Sequence, residues 1–128
     1  MFDTALDTSQ FVGGPMVQGF EDDFAAFSEA SACIGVNSGT DALRFALMAA
    51  GIAPGETVVT VPMTFIATTE AISQAGARFD FVDIEPRTCT MDPEKLRVYL
   101  EEHCTRDAQS DRLVSRRTGT PVRAVVPV

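Results

Sequence analysis

Short apolar runs alternate with stretches of helical periodicity along this chain, and that alternation constrains the fold more than any other feature. The apolar runs, several of them rich in β-branched residues, occupy positions 32–36, 57–61, 78–84 and 122–128. Helical spacing predicts helices between them: one that ends at Ala50, one over 64–75, and one that begins at Asp92-Pro93. There the acid suits the N-cap, and proline suits the first helical position. This order is typical of an α/β domain with a mainly parallel sheet and flanking helices.

The same pattern predicts four segments. Residues 1–31 form an N-terminal segment and an amphipathic helix whose apolar residues recur at helical spacing, namely Val17, Phe20, Phe24 and Phe27. Residues 1–12 show no sustained period. Residues 32–104 form an alternating βα core, 105–121 a polar mobile loop, and 122–128 a last strand. Because a partial parallel sheet leaves apolar faces uncovered, we expect this chain to be the front part of a longer protein.

Charge and composition exclude several classes of function. The chain carries 18 acidic and 10 basic side chains, a formal net charge of -8, so its average field repels nucleic acids and anionic membranes. No apolar run approaches the roughly 18 to 20 residues that a bilayer requires. No basic residue precedes Arg44, so the start does not resemble a targeting segment, and we expect a cytoplasmic protein. Cys33, Cys89 and Cys104 are odd in number and scattered, which argues against a disulfide framework and a metal site.

The first candidate site is the turn Asn37-Ser38-Gly39-Thr40, between the predicted strand 32–36 and the helix that ends at Ala50. Ligands of α/β sheets bind at the carboxyl ends of strands, where this turn is expected to lie. Free backbone N–H groups, a glycine without a Cβ and two hydroxyls suit a phosphate dianion. The alternative is an ordinary N-cap. Asp41 follows in the first turn, where the helix dipole favours a carboxylate that would repel a phosphate.

The second candidate site is Phe65, in the segment Pro62-Met63-Thr64-Phe65 after the predicted strand 57–61. An aromatic ring at the same edge of the sheet as a phosphate-binding turn can stack on a flat heteroaromatic ligand. The alternative is a phenylalanine of the hydrophobic core. The residues alone leave both alternatives open.

Four motifs carry a resemblance to a known family. In chain order they are SGTDAL, GIAPGETVVTVP, TFIATTEAI and GARFDFVDI. In these motifs the chain resembles the amino-terminal part of the DegT/DnrJ/StrS-type sugar aminotransferases, which bind pyridoxal phosphate. The upstream FVGGPMVQGFEDDFAAF and the terminal RAVVPV fit the same pattern. The resemblance therefore covers the chain apart from its first few residues and 105–121.

This resemblance implies part of the large domain of a fold-type-I pyridoxal-phosphate-dependent transferase. It implies that Gly39 and Thr40, with Ser38 beside them, hold the cofactor phosphate through backbone N–H groups and a hydroxyl. Phe65 would stack on the pyridine ring. The implied reaction transfers an amino group from an amino acid donor, such as glutamate, to a keto sugar linked to a nucleotide. Family members generally work as homodimers, so a homodimer is implied for the complete protein.

The resemblance also implies which residues are missing from this stretch. The family's Schiff-base lysine and the acid that pairs with the pyridine nitrogen lie farther along than residue 128, so no catalytic residue is assigned here. Lys95 is the sole lysine and lies next to Glu94 in the first turns of a solvated helix, a setting unlike that of a Schiff-base lysine. We therefore expect no turnover from residues 1–128 alone.

Two other functions remain open. One is a non-catalytic module that binds pyridoxal phosphate, another phosphate or a partner, and the other is a relative that uses the cofactor for sugar dehydration. His103, the sole histidine, is expected to be packed or stabilised by a helix end rather than to act as a base. The arginines of 105–121 are interleaved with Asp107 and Asp111 and are expected to be solvated. A basic patch for a nucleotide diphosphate is the alternative.

Overall fold

The computed structural model describes residues 2–128, and Met1, the first residue of the predicted N-terminal segment, lies outside the described residues. In chain order the elements are α1 (Phe2–Thr8), α2 (Pro15–Phe27), α3 (Gly39–Ala49), β1 (Thr57–Thr60), α4 (Ile66–Gln74), β2 (Arg78–Phe81), α5 (Pro93–Glu102), β3 (Cys104–Arg106), β4 (Leu113–Ser115) and β5 (Val122–Val125). They belong to two compact units, one that ends at Asn37 and one that begins at Ser38. None of these helices is both long and apolar enough to cross a bilayer.

The first unit contains α1, α2 and the segment that follows them. Helix α2 confirms the predicted amphipathic helix and begins at Pro15, directly after Gly14, whose φ of 82° is readily adopted by glycine. Three of its aromatic rings form a row, with ring centroids 5.6 Å apart for Phe20 and Phe24 and 6.1 Å apart for Phe24 and Phe27. Helix α1 was not predicted, because its apolar residues have no sustained period.

The strand predicted over 32–36 is not formed. Within the described residues this segment pairs with no strand, and Gly35 donates its N–H to the Glu21 carboxylate at 2.6 Å. Ile34 is 80% exposed. An apolar run becomes a strand only where a neighbouring strand completes its backbone hydrogen bonds, so the apolar composition of this segment was misleading.

The second unit is organised around β1, whose four residues are all buried. Strand β1 pairs in parallel with β2 on one side and with β5 on the other. The register runs from Thr57 opposite Arg78 to Thr60 opposite Phe81, and pairing with β5 shifts between Thr57 and Val58. The predicted α/β fold with a mainly parallel sheet is thereby confirmed.

Helices cover both faces of this sheet. Successive side chains of a strand point to opposite faces, so Val58 and Val59 contribute to different clusters. Val58 packs with buried residues of α3, of α4 and of the segments that follow these helices, which are Leu47, Ile52, Ile72 and Ala77. Val59 packs on the other face with residues of α5, of its flanks and of the segments just after β1 and β2, which are Val61, Val82, Met91, Tyr99 and Cys104. The sheet therefore separates an α3/α4 layer from an α5 layer.

The loop predicted over 105–121 is wrong in part, because this segment contains an antiparallel hairpin. Strand β3 pairs with β4 from Cys104 opposite Ser115 to Arg106 opposite Leu113. Arg112 reaches the buried Glu56 carboxylate at 2.8 Å, and Thr57 Oγ1 lies 2.7 Å from Thr118 Oγ1. The hairpin is thus fixed by polar contacts with distant residues, which low apolar content does not reveal.

Candidate functional site

The turn that leads into α3 has the geometry of a capped helix start. Ser38 is the N-cap, and its Oγ accepts a hydrogen bond from Asp41 N at 3.1 Å. The first backbone N–H groups of a helix have no acceptor within the helix. Within residues 2–128, the N–H groups of Gly39 and Thr40 donate to no acceptor. Two donors are therefore left free at this end of α3.

Phe65 occupies the corresponding position of the neighbouring helix. It is the N-cap residue of α4, in extended conformation, and its side chain is 78% exposed. Thr64 and Thr68 hold this helix start through a 2.8 Å contact between their hydroxyl oxygens. Phe65 is therefore not a core residue in this structure, and its ring is free to contact a ligand.

Helices α3 and α4 run parallel to each other and antiparallel to β1. Helix α4 begins directly after the carboxyl end of β1. The segment that follows α3 leads into the amino end of β1, and there Gly55 donates to the carbonyl of Gly76, just after α4, at 2.9 Å. Both helices therefore end at the amino edge of the sheet. Their N-termini, which carry Ser38, Gly39, Thr40 and Phe65, point toward the carboxyl edge.

The space beside Gly39 fits an anionic group. A Cβ built on Gly39 has no atom within 4 Å, and Gly39 does not have the positive φ that would itself require glycine. Neither backbone geometry nor packing within the chain thus calls for glycine here. Open space next to two free N–H donors, at the positive end of a helix dipole, is suited to a phosphate.

Lys95 is engaged in charged contacts in the other layer. Its Nζ donates to the carbonyl oxygen of Ile84 at 2.8 Å and lies 3.4 Å from Asp83 Oδ2 and 3.8 Å from Asp92 Oδ2. A hydrogen bond from the Ile84 backbone N–H, followed by the Lys95 contact, lowers the pKa of Asp83. These contacts hold the ammonium in the α5 layer, and the sheet lies between α5 and the α3/α4 layer.

A second group of polar residues lies under α5. Tyr99 Oη donates to Asp80 Oδ2 at 2.8 Å, and Ser115 Oγ donates to the same oxygen at 3.1 Å. Burial raises the pKa of Tyr99. Beside this cluster is a cavity of about 460 Å³, mostly apolar, which His103, Lys95 and Arg117 partly line. His103 lies at the end of α5 with its ring centroid 6.3 Å from that of Tyr99, a packed position as expected.

Three of the four arginines of 105–121 pair with acids rather than form a free basic patch. Arg106 pairs with Asp111 at 2.9 Å, Arg112 with Glu56 at 2.8 Å, and Arg117 with Asp80 at 3.5 Å. Glu56 and Asp80 are the buried carboxylates of this unit that sequence analysis did not single out. Glu56 lies just before β1 and Asp80 lies within β2, and no periodic pattern in the sequence distinguishes either acid from a surface acid.

Asp41 and Arg44 form a further pair that the sequence analysis missed. Arg44 Nη2 lies 2.8 Å from Asp41 Oδ1, one helical turn away in α3. The spacing of three residues between opposite charges on a helix would have indicated this contact.

Comparisons with known proteins match these features to a family. The sequence profile of the DegT/DnrJ/EryC1/StrS aminotransferase family matches residues 1–109. Several curated relatives are aminotransferases of UDP- or dTDP-linked sugars. One is the dTDP-3-amino-3,4,6-trideoxy-alpha-D-glucose transaminase of Streptomyces venezuelae, which is 37% identical over 123 residues. That alignment covers 96% of this chain and 28% of the relative.

Solved structures show the same fold. A DegT DnrJ EryC1 StrS aminotransferase from Brucella abortus superposes with a TM-score of 0.78 at 28% identity, over 98% of this chain and 31% of that one. The GDP-4-keto-6-deoxy-D-mannose-3-dehydratase of E. coli, solved with bound hydrated pyridoxal phosphate, has a TM-score of 0.68 at 26% identity. It covers 74% of this chain and 26% of its own length.

The chain spans about a quarter of the length of the curated relatives it matches. The matched residues 1–109 include the turn at Ser38, the turn at Phe65 and strands β1 and β2 of the sheet. The resemblance drawn from the four sequence motifs is confirmed. This chain belongs to the DegT/DnrJ/EryC1/StrS aminotransferase family.

Proposed function

We propose that this chain supplies the phosphate-binding turn and the ring-stacking residue of a pyridoxal-phosphate-dependent aminotransferase. The complete enzyme would move an amino group from an amino acid donor to a keto sugar linked to a nucleotide. The names of several relatives support the nucleotide-linked sugar. A homodimer, which the family resemblance implies, and a cytoplasmic location belong to the same proposal.

The observation that carries the proposal is the pair of parallel helix starts. Gly39 and Thr40 present two free N–H donors next to open space, and Phe65 presents an exposed ring at the start of the adjacent helix. Donors and a ring at one edge of a sheet match the two ends of a phosphorylated pyridine. When bound, the cofactor supplies an electron sink that lets an amino group leave one carbon and join another.

Each residue has a distinct part in this proposal. The backbone N–H groups of Gly39 and Thr40 and the Thr40 hydroxyl hold the phosphate, and the free end of the helix dipole favours its charge. Ser38 caps α3 and so keeps those donors in place. Phe65 covers one face of the ring and excludes water from it.

Lys95 is not assigned as the covalent anchor, because its ammonium is already engaged with Ile84 and Asp83 in the α5 layer. We therefore expect no transamination from these 128 residues alone. Turnover by the purified chain, with label mapped to Lys95 after borohydride reduction in the presence of pyridoxal phosphate, would contradict this assignment.

Equilibrium binding of pyridoxamine phosphate, compared with pyridoxamine, tests the proposal. Pyridoxamine phosphate has an amine in place of the aldehyde, so it does not condense with Lys95 or the amino terminus. The chain has no tryptophan, so the fluorescence of either ligand is read without interference. We expect the phosphate to improve affinity by roughly tenfold or more, the scale of a charge-assisted hydrogen bond. Equal affinity for the two ligands would contradict the proposal.

Two variants with matched controls locate the ligand. Gly39→Ala fills the open space and is expected to remove the preference for pyridoxamine phosphate. Gly19→Ala, in α2 with equally open space beside it, is expected to keep that preference. Phe65→Ala is expected to lower the affinity for both ligands by the same factor. Phe27→Ala, at an 84% exposed position, is expected to change neither affinity. The same losses in the controls would show that the ligand lies elsewhere.

A dehydratase is the second candidate, since the E. coli dehydratase shares the fold of this chain. Both candidates use the same cofactor turn, so binding does not separate them. Assay of the complete protein does: net transfer of an amino group indicates the aminotransferase, and loss of a sugar hydroxyl without net transfer indicates the dehydratase. A non-catalytic module would bind pyridoxamine phosphate and catalyse neither reaction in the complete protein.

A further inference from the structure

The negative charge of Asp41 lies near the place proposed for a phosphate at the start of α3. Its carboxylate lies in the first turn, and its Oδ2 is 3.4 Å from Ser38 Oγ. An uncompensated carboxylate this close to the turn would repel a phosphate dianion. Its side chain is only 22% exposed, so solvent screens it incompletely.

Arg44 compensates that charge. Its Nη2 lies 2.8 Å from Asp41 Oδ1, so the two carboxylate oxygens have different neighbours, Arg44 on one side and the Ser38 hydroxyl on the other. The guanidinium is also placed over the ring of Phe45, 4.6 Å from its centroid, with Nη1 3.5 Å from Gln74 Oε1. The partner charge is therefore held in one position by packing and by α4.

One atom of Arg44 is placed unfavourably. Its Nε is buried and has no acceptor within the described residues. A buried donor without a partner is unfavourable, so the contacts of the rest of the guanidinium must offset it. The ion pair with Asp41 is the shortest of those contacts.

We propose that Asp41 and Arg44 are a positioning pair for the phosphate turn. Arg44 cancels the charge of Asp41, and Asp41 in turn orients the Ser38 hydroxyl that caps α3. The pair leaves the turn capped without a net negative charge beside the phosphate. This inference rests on the proposed function, because it concerns the same turn.

The test compares pyridoxamine phosphate with pyridoxamine at low ionic strength. Arg44→Met leaves the charge of Asp41 uncompensated. It is expected to lower the affinity for pyridoxamine phosphate by roughly threefold to tenfold and to leave the affinity for pyridoxamine unchanged. Arg44→Lys keeps the charge and is expected to retain most of the preference. Adding Asp41→Asn to Arg44→Met is expected to restore the affinity for pyridoxamine phosphate.

Arg97→Met is the matched control. Arg97 also pairs with an acid three residues earlier on a helix, Glu94 at 3.0 Å, but it lies on α5. It is expected to change neither affinity. If Arg44→Met lowers thermal stability so far that binding is not measurable, Asp41→Asn alone replaces it. That variant is expected to bind pyridoxamine phosphate more tightly than wild type does.

The outcomes separate this inference from the proposed function. Suppose that wild type prefers pyridoxamine phosphate. If Arg44→Met then leaves that preference intact, or lowers the affinity for both ligands alike, the positioning pair is refuted and the phosphate turn stands. A result in which Asp41→Asn alone lowers the preference also refutes it. If wild type shows no preference, the phosphate turn itself is refuted, and this inference falls with it.

Discussion

Asp80 is a buried carboxylate that joins three elements of the second unit. It lies in β2 and accepts hydrogen bonds from Tyr99 on α5 and from Ser115 on β4. Arg117 approaches its other oxygen at 3.5 Å. Because one charged group satisfies several donors, its burial is compensated, and the hairpin is tied to the sheet and to α5.

The sole tyrosine provides a direct measurement of this cluster. Burial raises the pKa of Tyr99, and the Asp80 carboxylate raises it further. We expect Tyr99 to stay protonated in the folded chain above about pH 10, where a free tyrosine ionises. Absorbance at 295 nm reports Tyr99 alone, since the chain has one tyrosine and no tryptophan.

The sign of the stability change follows from the raised pKa. Below about pH 10 both states keep the tyrosine proton, and above it only the folded state does, so the free energy of unfolding falls as pH rises. The urea-unfolded chain, titrated in parallel, should ionise near pH 10. A folded chain, by circular dichroism, whose tyrosine ionises at the same pH as the unfolded one would contradict this.

Residues of local turns were predictable from sequence, whereas partners of buried acids were not. The cap at Ser38 follows from four adjacent residues, and the sequence offered it as the alternative to a phosphate-binding turn. The contact between Glu56 and Arg112 joins residues 56 positions apart, and the contact between Asp80 and Ser115 joins residues 35 apart. No periodicity connects positions so distant, so only the tertiary structure pairs them.

At the scale of elements, side-chain caps explain where α3 and α5 begin. Helix α5 begins at Pro93 as predicted, and Asp92 Oδ1 accepts from the N–H groups of Glu94 at 2.9 Å and Lys95 at 3.2 Å.

The strand predicted over 32–36 and the loop predicted over 105–121 were wrong for one reason. Apolar content was used to assign strands, although backbone pairing and charged contacts decide where strands form.

The α5 cap yields a stability prediction. Asp92→Ala removes the acceptor of two N–H groups and is expected to lower the free energy of unfolding by about 1 kcal/mol. Asp92→Asn keeps an acceptor and should lose much less. Urea denaturation of both variants measures the difference. Equal losses in the two would mean that the charge near Lys95, rather than the cap, stabilises this helix start.

The whole molecule places two helix starts at one edge of a parallel sheet. The alternation of apolar runs and helices predicted the sheet and its flanking helices, because the local composition of the segments agrees with their order along the chain. The turn at Ser38 and Phe65 were expected at one edge of the sheet, because ligands of α/β sheets bind at the carboxyl ends of strands. The charge balance at the α3 start depends on the rotamers of Asp41 and Arg44, which a sequence does not specify.

Backbone amide spectra during ligand titration test the central claim most directly. With the ¹⁵N-labelled chain, pyridoxamine phosphate is expected to shift the amides of Gly39, Thr40 and Phe65 together. Inorganic phosphate should shift Gly39 and Thr40 alone, and pyridoxamine should shift the region of Phe65. Shifts confined to residues around the Tyr99 cavity, or no shifts in a folded chain at saturating ligand, would contradict the account.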